Sequence, residues 1–106
     1  MKRIVGGRRY DTEGEGTERI AEWDNGHFST DFEYCEEALY RTAKGTYFIA
    51  GSGGPKSTYS QPCGSNSISG GSGIEPVTED EAYDWLEQKG LTEAIEEHFA
   101  DRVENA

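Results

Sequence analysis

Short apolar runs alternate with polar positions through the first half of the chain, and helical spacing takes over only after about residue 77. Arg3-Ile4-Val5 and Arg8-Arg9-Tyr10 flank Gly6-Gly7, and a two-residue glycine loop between such runs predicts a β-hairpin. Thr17 to Trp23 alternates imperfectly around Ile20 and Trp23, and Asp24-Asn25-Gly26 supplies a turn. Asp31 to Arg41 fits two periods. Phe32, Tyr34, Ala38 and Tyr40 alternate as a strand, whereas Phe32, Cys35 and Leu39 share a helical face. A strand from about Glu37 to Thr42 is the preferred reading, with Asp31 to Glu36 left open. Ala43-Lys44-Gly45 then turns the chain into Thr46 to Ala50, whose β-branched and aromatic residues suit a central strand. Gly51 to Gly73 reads as a long Gly/Ser-rich connecting loop with Tyr59 and Ile68 as its only sizeable apolar groups.

The C-terminal pattern is helical. Thr78 with Glu81 makes a capping box, and Val77 with Ala82 a small hydrophobic staple. Ala82, Trp85 and Leu86 form an apolar stripe, and Gly90 is a natural stop. Thr92 is placed to cap a second helix whose inner face is Ile95, Phe99 and Val103. Strands first and helices last predict an α+β fold: an antiparallel sheet of about four strands with two C-terminal helices. The expected core is Ile4, Ile20, Trp23, Leu39, Phe48, Trp85, Leu86, Ile95 and Phe99. With 106 residues there is room for one domain, read as a hairpin-rich sheet (1–50), the Gly/Ser-rich loop (51–73) and an acidic helical part (74–106).

Composition adjusts this picture. Apolar residues make up 33%, and the 14 glycines bring the total near the globular norm, with twelve aromatics as the main packing elements. Charge follows Met1 closely, no apolar run approaches the ~18 residues of a membrane span, and a soluble cytoplasmic protein is expected. Cys35 and Cys63, without paired spacing, are then expected to be reduced thiols.

Charge changes the picture most. The chain carries a net −11, of which −9 falls between Ile74 and Ala106, where Lys89 and Arg102 are the only bases. Asp80, Asp84 and Glu87 follow helical spacing on the first helix. On the second, Glu93, Glu97 and Asp101 recur every four residues, with Glu96 and Glu104 beside them. Like charges so spaced each cost about 0.2–0.5 kcal/mol, so stability alone favours interleaved lysine or arginine. Helix rise sets such carboxylates about 6 Å apart, comparable to successive phosphates of a nucleic-acid strand. These eight acids are the candidate partner-binding residues. Their expected partner is the basic, nucleic-acid-binding surface of another protein, with no direct contact to nucleic acid or membrane.

Catalytic and metal motifs fall short, so no enzyme, cofactor or metal is expected. Ile4-Val5-Gly6-Gly7 and Ser52-Gly53-Gly54-Pro55 echo trypsin-like proteases, but Gly51 stands where an aspartate belongs and the chain is about half the required length. Lys56-Ser57 lacks the glycine before the lysine that a Walker loop needs. His27, Cys35, Cys63 and His98 show no close ligand pairing for zinc, and Glu79-Asp80-Glu81 lacks the spacing of a calcium loop.

A resemblance enters on Lys2-Arg3-Ile4, Gly6, Tyr10-Asp11-Thr12, Glu37-Ala38-Leu39-Tyr40-Arg41-Thr42, Gly45, Tyr47-Phe48, Gly51 and Gly53-Gly54-Pro55. With Pro76, Thr78 and Glu81-Ala82, the run resembles small acidic proteins carried by bacterial phages, plasmids and integrative elements. That group brings no established chemistry and transfers no site residue. In size, acidity and setting the chain is also similar to anti-CRISPR inhibitors, several of which imitate DNA. The likeness implies an inhibitor of a host defence complex, a CRISPR effector above all. The competing expectation is a regulatory or antitoxin-like module with a different basic partner.

Overall fold

Gly6 and Gly7 both adopt positive φ, 58° and 79°, the left-handed pair that a type I′ turn requires. The turn joins β1 (Lys2–Val5) to β2 (Arg8–Asp11) in an antiparallel hairpin. The computed structural model describes residues 1–28, 30–62 and 68–106. After the hairpin come β3 (Glu18–Asp24), β4 (Cys35–Arg41) and β5 (Tyr47–Gly53), then a two-residue pair, β6 (Gln61–Pro62) with β7 (Ile68–Ser69). β8 (Gly71–Val77) leads into α1 (Glu79–Gln88) and α2 (Thr92–His98), and a single 3₁₀ turn covers Ala100–Arg102. The main sheet has the order β3-β4-β5-β8 and is antiparallel throughout. The fold is α+β, as the pattern predicts.

β5 is buried on both sides, and successive residues face opposite layers. Tyr47 and Ile49 join Ile20 and Leu39 against Ala82, Trp85 and Leu86 of α1 and Ile95 and Phe99 of the α2 segment. Leu39, Phe48 and Leu86 are fully enclosed, each burial worth about 1.5–3 kcal/mol. On the other face Phe48 and Ala50 meet Tyr10 of the hairpin, with Tyr40 and Ile74 beside them. Tyr10 meets Phe48 edge-on at 5.4 Å, and Tyr40 stacks on it at 5.2 Å.

Pleating explains where the expected core fails. Tyr10 is the hairpin residue turned towards the sheet. Ile4 pairs with Arg9, one position out of phase with Tyr10, and is 70% exposed. A bulge between Arg19 and Ala21 brings both Ile20 and Ala21 against the helix-side core, which is why the alternation of β3 looks imperfect. Trp23 is only half-buried, its ring covered by the Lys89 ammonium 3.6 Å from the centroid. β4 starts at Cys35, earlier than expected, and Asp31 to Tyr34 is irregular.

The capping box at Thr78 and Glu81 is present in both directions, at 2.9 and 3.1 Å. α1 ends in a Schellman arrangement: Gly90 at φ 68° donates to the Glu87 carbonyl, and Leu91 donates to that of Leu86. This hands Leu91 directly to the N-cap of α2, so Thr92 is the first helical residue and caps nothing. The chain leaves the helix at Phe99, and Val103 is 46% exposed instead of completing the inner face.

The largest departure lies between Gly51 and Gly73. Gly51 to Gly53 continue β5, and Gly71 to Val77 form the edge strand β8, so the segment is not a single connecting loop. Its Cys63 to Ser67 portion lies outside the described residues. The glycines here leave bare backbone on which the Pro55–Ser60 turn rests. A Cβ at Gly51 would overlap the Tyr59 ring and hydroxyl, and one at Gly71 would strike the Tyr59 carbonyl. Close approach, not flexibility, is what these glycines provide.

Gly51→Ala should therefore lower stability by about 1–3 kcal/mol through overpacking. Gly73→Ala places its Cβ 3.9 Å from Tyr59 and should leave the melting temperature unchanged or slightly raised. Thermal unfolding of the two variants measures the contrast.

Candidate protein-binding surface at the acidic helical end

α1 and α2 bury their apolar stripes and therefore turn their acids outwards. Asp80, Asp84, Glu87, Glu93, Glu96, Glu97, Asp101 and Glu104 are all exposed. α1 is continuous from Glu79 to Gln88, so Asp80, Asp84 and Glu87 do share one face, as the spacing predicts. On α2 the pattern breaks. Glu93 and Glu97 lie one turn apart and line a shallow cavity of about 480 Å³ with Ile20, Ala21, Leu91 and Ala94. Asp101 belongs to the 3₁₀ turn and Glu104 to the tail beyond it, so the four-residue recurrence does not continue past His98.

Among the described residues, two of the eight acids lie within 4.0 Å of a basic side chain. Arg102 donates to Asp80 at 2.7 Å and lies 3.8 Å from Glu79, tying the first turn of α1 to the 3₁₀ turn. Its guanidinium also sits over Tyr83, 5.3 Å from the ring centroid, and the bond to Asp80 raises its pKa further. His98 lies 3.8 Å from Glu97 and 3.6 Å from Glu18 of β3. Among the described residues, Asp84, Glu87, Glu93, Glu96, Asp101 and Glu104 have no ion-pair partner within 4.0 Å. The nearby Glu87 carboxylate raises the pKa of the Tyr83 phenol.

The same helices cover a polar cluster that the sequence pattern missed. Glu37 projects from β4 beneath α1 and accepts from the Tyr59 hydroxyl at 2.5 Å and from the Trp85 indole at 3.2 Å. Lys89 lies 3.7 Å away and spans Glu37 and the Trp23 ring. Burial, then the bond to Glu37, pushes the Tyr59 phenol well above its ordinary value. Burial and the Glu37 charge raise the Cys35 thiol in the same way, which disfavours the reactive thiolate. Every member of this cluster is satisfied by a neighbour, and its work is to fasten α1 and the Tyr59 turn to the sheet. No local spacing announces it, because Glu37 comes from β4, Tyr59 from the turn after β5, and Trp85 and Lys89 from α1 and its C-cap.

On the hairpin side of the sheet, Met1, Arg19, Glu22, Asp24, Glu36 and Ser52 line an open cavity of about 680 Å³, away from the helical acids. Glu36 accepts from Ser52 at 2.9 Å and from Tyr34 at 2.5 Å, which pushes the Tyr34 phenol up to about 12. In the loop between β3 and β4, Phe28 and Phe32 are 86% and 63% exposed. His27 also lies in this loop, while His98 contacts Glu18 at the start of β3, so the two histidines do not converge. Cys63 lies outside the described residues. Among the described residues, no helix is long and apolar enough to cross a membrane.

No protein-family model, curated protein or solved structure matches the chain.

Raised phenol pKa values have a defined pH consequence. An unfolded tyrosine ionises near 10.0, whereas folded Tyr59 does so only at higher pH. Its contribution to stability is thus complete below pH 10 and is lost as pH rises further. Denaturant unfolding at pH 9, 10 and 11 should show wild type losing its advantage over Tyr59→Phe only above pH 10.

Proposed function

We propose that this chain is a protein-binding module that acts stoichiometrically, its acidic helical end occupying a basic, nucleic-acid-binding surface of a partner protein. One observation carries the reading: all eight candidate carboxylates are exposed, and among the described residues only Asp80 has an arginine or lysine, and only Glu97 a histidine, within 4.0 Å. Glu93 with Glu97 and Asp80 with Asp84 are like-charge pairs that lower helix stability by about 0.2–0.5 kcal/mol each. Bound against lysines and arginines, the same carboxylates take positions that phosphates otherwise fill. Their field also speeds encounter with a basic surface.

The specific form of the proposal is a mobile-element-encoded inhibitor working in the host cytoplasm, with the guide-loaded channel of a CRISPR effector as its favoured target. It needs no catalytic step and no cofactor. Phe28 and Phe32, both exposed in one loop, offer apolar contact area to a protein partner. They suit equally a regulatory or antitoxin-like module with a basic partner that binds no nucleic acid.

Replacing Glu93, Glu97 and Asp101 together by Gln, Gln and Asn tests the charge. The triple variant should fold with unchanged or slightly higher stability. Its association with a CRISPR effector should slow at least tenfold at low salt and depend less steeply on salt. Target DNA should compete with wild type for the effector. Binding without competition by DNA would support the regulatory alternative, and unchanged binding of the variant would remove the helical acids from the interface.

A further inference from the structure

The loop between β3 and β4 holds a second charged grouping, remote in sequence from the helical acids. It runs from Asn25 to Tyr34 and buries no large apolar side chain among its described residues. Asn25 pins its ends together. Its Oδ1 accepts from the backbone N–H groups of His27 and Cys35 at 3.3 and 3.2 Å, and its Nδ2 donates to the Glu33 carbonyl at 2.6 Å. A backbone bond from Asn25 to the Cys35 carbonyl, 3.0 Å, closes the base. Within this frame Asp31 divides its carboxylate between two tasks. Oδ1 accepts from the Glu33 N–H at 2.8 Å, while Oδ2 faces His27 Nδ1 at 3.3 Å. One ligand atom each from His27, Asp31 and Glu33 lies within 4.8 Å of the other two.

We propose that His27, Asp31 and Glu33 form a binding site for a divalent transition-metal ion of the zinc, cobalt or manganese class. A metal bonded at ~2.0–2.2 Å holds neighbouring ligand atoms roughly 3–3.5 Å apart. The Nδ1–Oδ2 separation already meets this, and only exposed side-chain rotation is needed to bring Glu33 in. An imidazole with two carboxylates suits borderline ions more than magnesium or calcium, which prefer oxygen alone. One oxygen of Asp31 is held by a backbone N–H, and the other shares with His27 a hydrogen bond that a bound ion would replace. Between Asp24 and Glu36 the sequence contains four acids and no lysine or arginine, so the local field favours a cation. Lys56, which lies near Asp31, is the one opposing charge of note. Three protein ligands leave further positions to water, so the site is exchangeable. A bound ion would join the start of the loop to its end and fix the stems of Phe28 and Phe32.

The test uses the full chain, with both thiols reduced, and Zn²⁺ or Co²⁺ alone as the probe, titrated to about 100 µM. Calorimetry gives stoichiometry, and long-range ¹H–¹⁵N spectra of the two imidazoles identify the ligand nitrogen. The expected result is one equivalent bound, with a shift at His27 Nδ1 and none at His98. His27→Ala and Glu33→Gln should each weaken binding at least tenfold. His98→Ala and the Cys35→Ser, Cys63→Ser double variant should bind as wild type. All the substituted ligands are exposed, so circular dichroism should show native folding; Asp31→Asn, which also removes a ligand charge, gives a second reading if one variant unfolds. No binding by 100 µM, undiminished binding by His27→Ala, loss in the cysteine or His98 variants, or equal binding of Ca²⁺ would each overturn the proposal.

Discussion

Burial of β5 on both faces is the constraint on which the other elements depend. Because Tyr47 and Ile49 alternate with Phe48 and Ala50, the strand must be covered twice. The helices cover one side and the hairpin, through Tyr10, the other. A strand in that position also needs paired neighbours along its whole length, and β4 and β8 supply them. The glycines of β5 and β8 follow from the same requirement. Beyond the reach of α1, the sheet is covered by the Tyr59 turn, which only bare backbone can accommodate.

The elements legible in the sequence were those determined by near neighbours. The Gly6-Gly7 turn, the Thr78–Glu81 box and the Gly90 stop each rest on residues within a few positions, and each is present. What escaped was set at long range. The first part of β8, Gly71 to Gly73, pairs with Gly51 to Gly53 and approaches the Tyr59 turn, so its composition resembles that of a loop. Ile4 was misplaced because a hairpin can present either face, and Tyr10 decides which. Thr92 has the chemistry of a cap, but the tight handover from α1 gives that position to Leu91.

The outward acids of α1 were readable because a continuous helix preserves spacing. Those of α2 were readable only as far as His98, where the helix ends and places Asp101 and Glu104 on a different path. The Glu37 cluster and the His27 loop left no trace in local pattern. One joins β4 and the Tyr59 turn to α1 and its C-cap. The other depends on Asn25 folding its loop back upon itself, which places ligand atoms together that are up to six positions apart in the chain.

The two-sided cover of the sheet also sorts charge. Lys2, Arg3, Arg8 and Arg9 belong to the hairpin on one face, and the acidic helices lie on the other. The basic hairpin and the acidic helices therefore lie on opposite faces of the sheet, with Glu22, Asp24 and Glu36 adding some negative charge on the hairpin side. In the field of a cationic surface such a body experiences a torque as well as a pull, so it turns its helices forward before contact. Orientation is then selected during approach, and fewer encounters are lost to the wrong face.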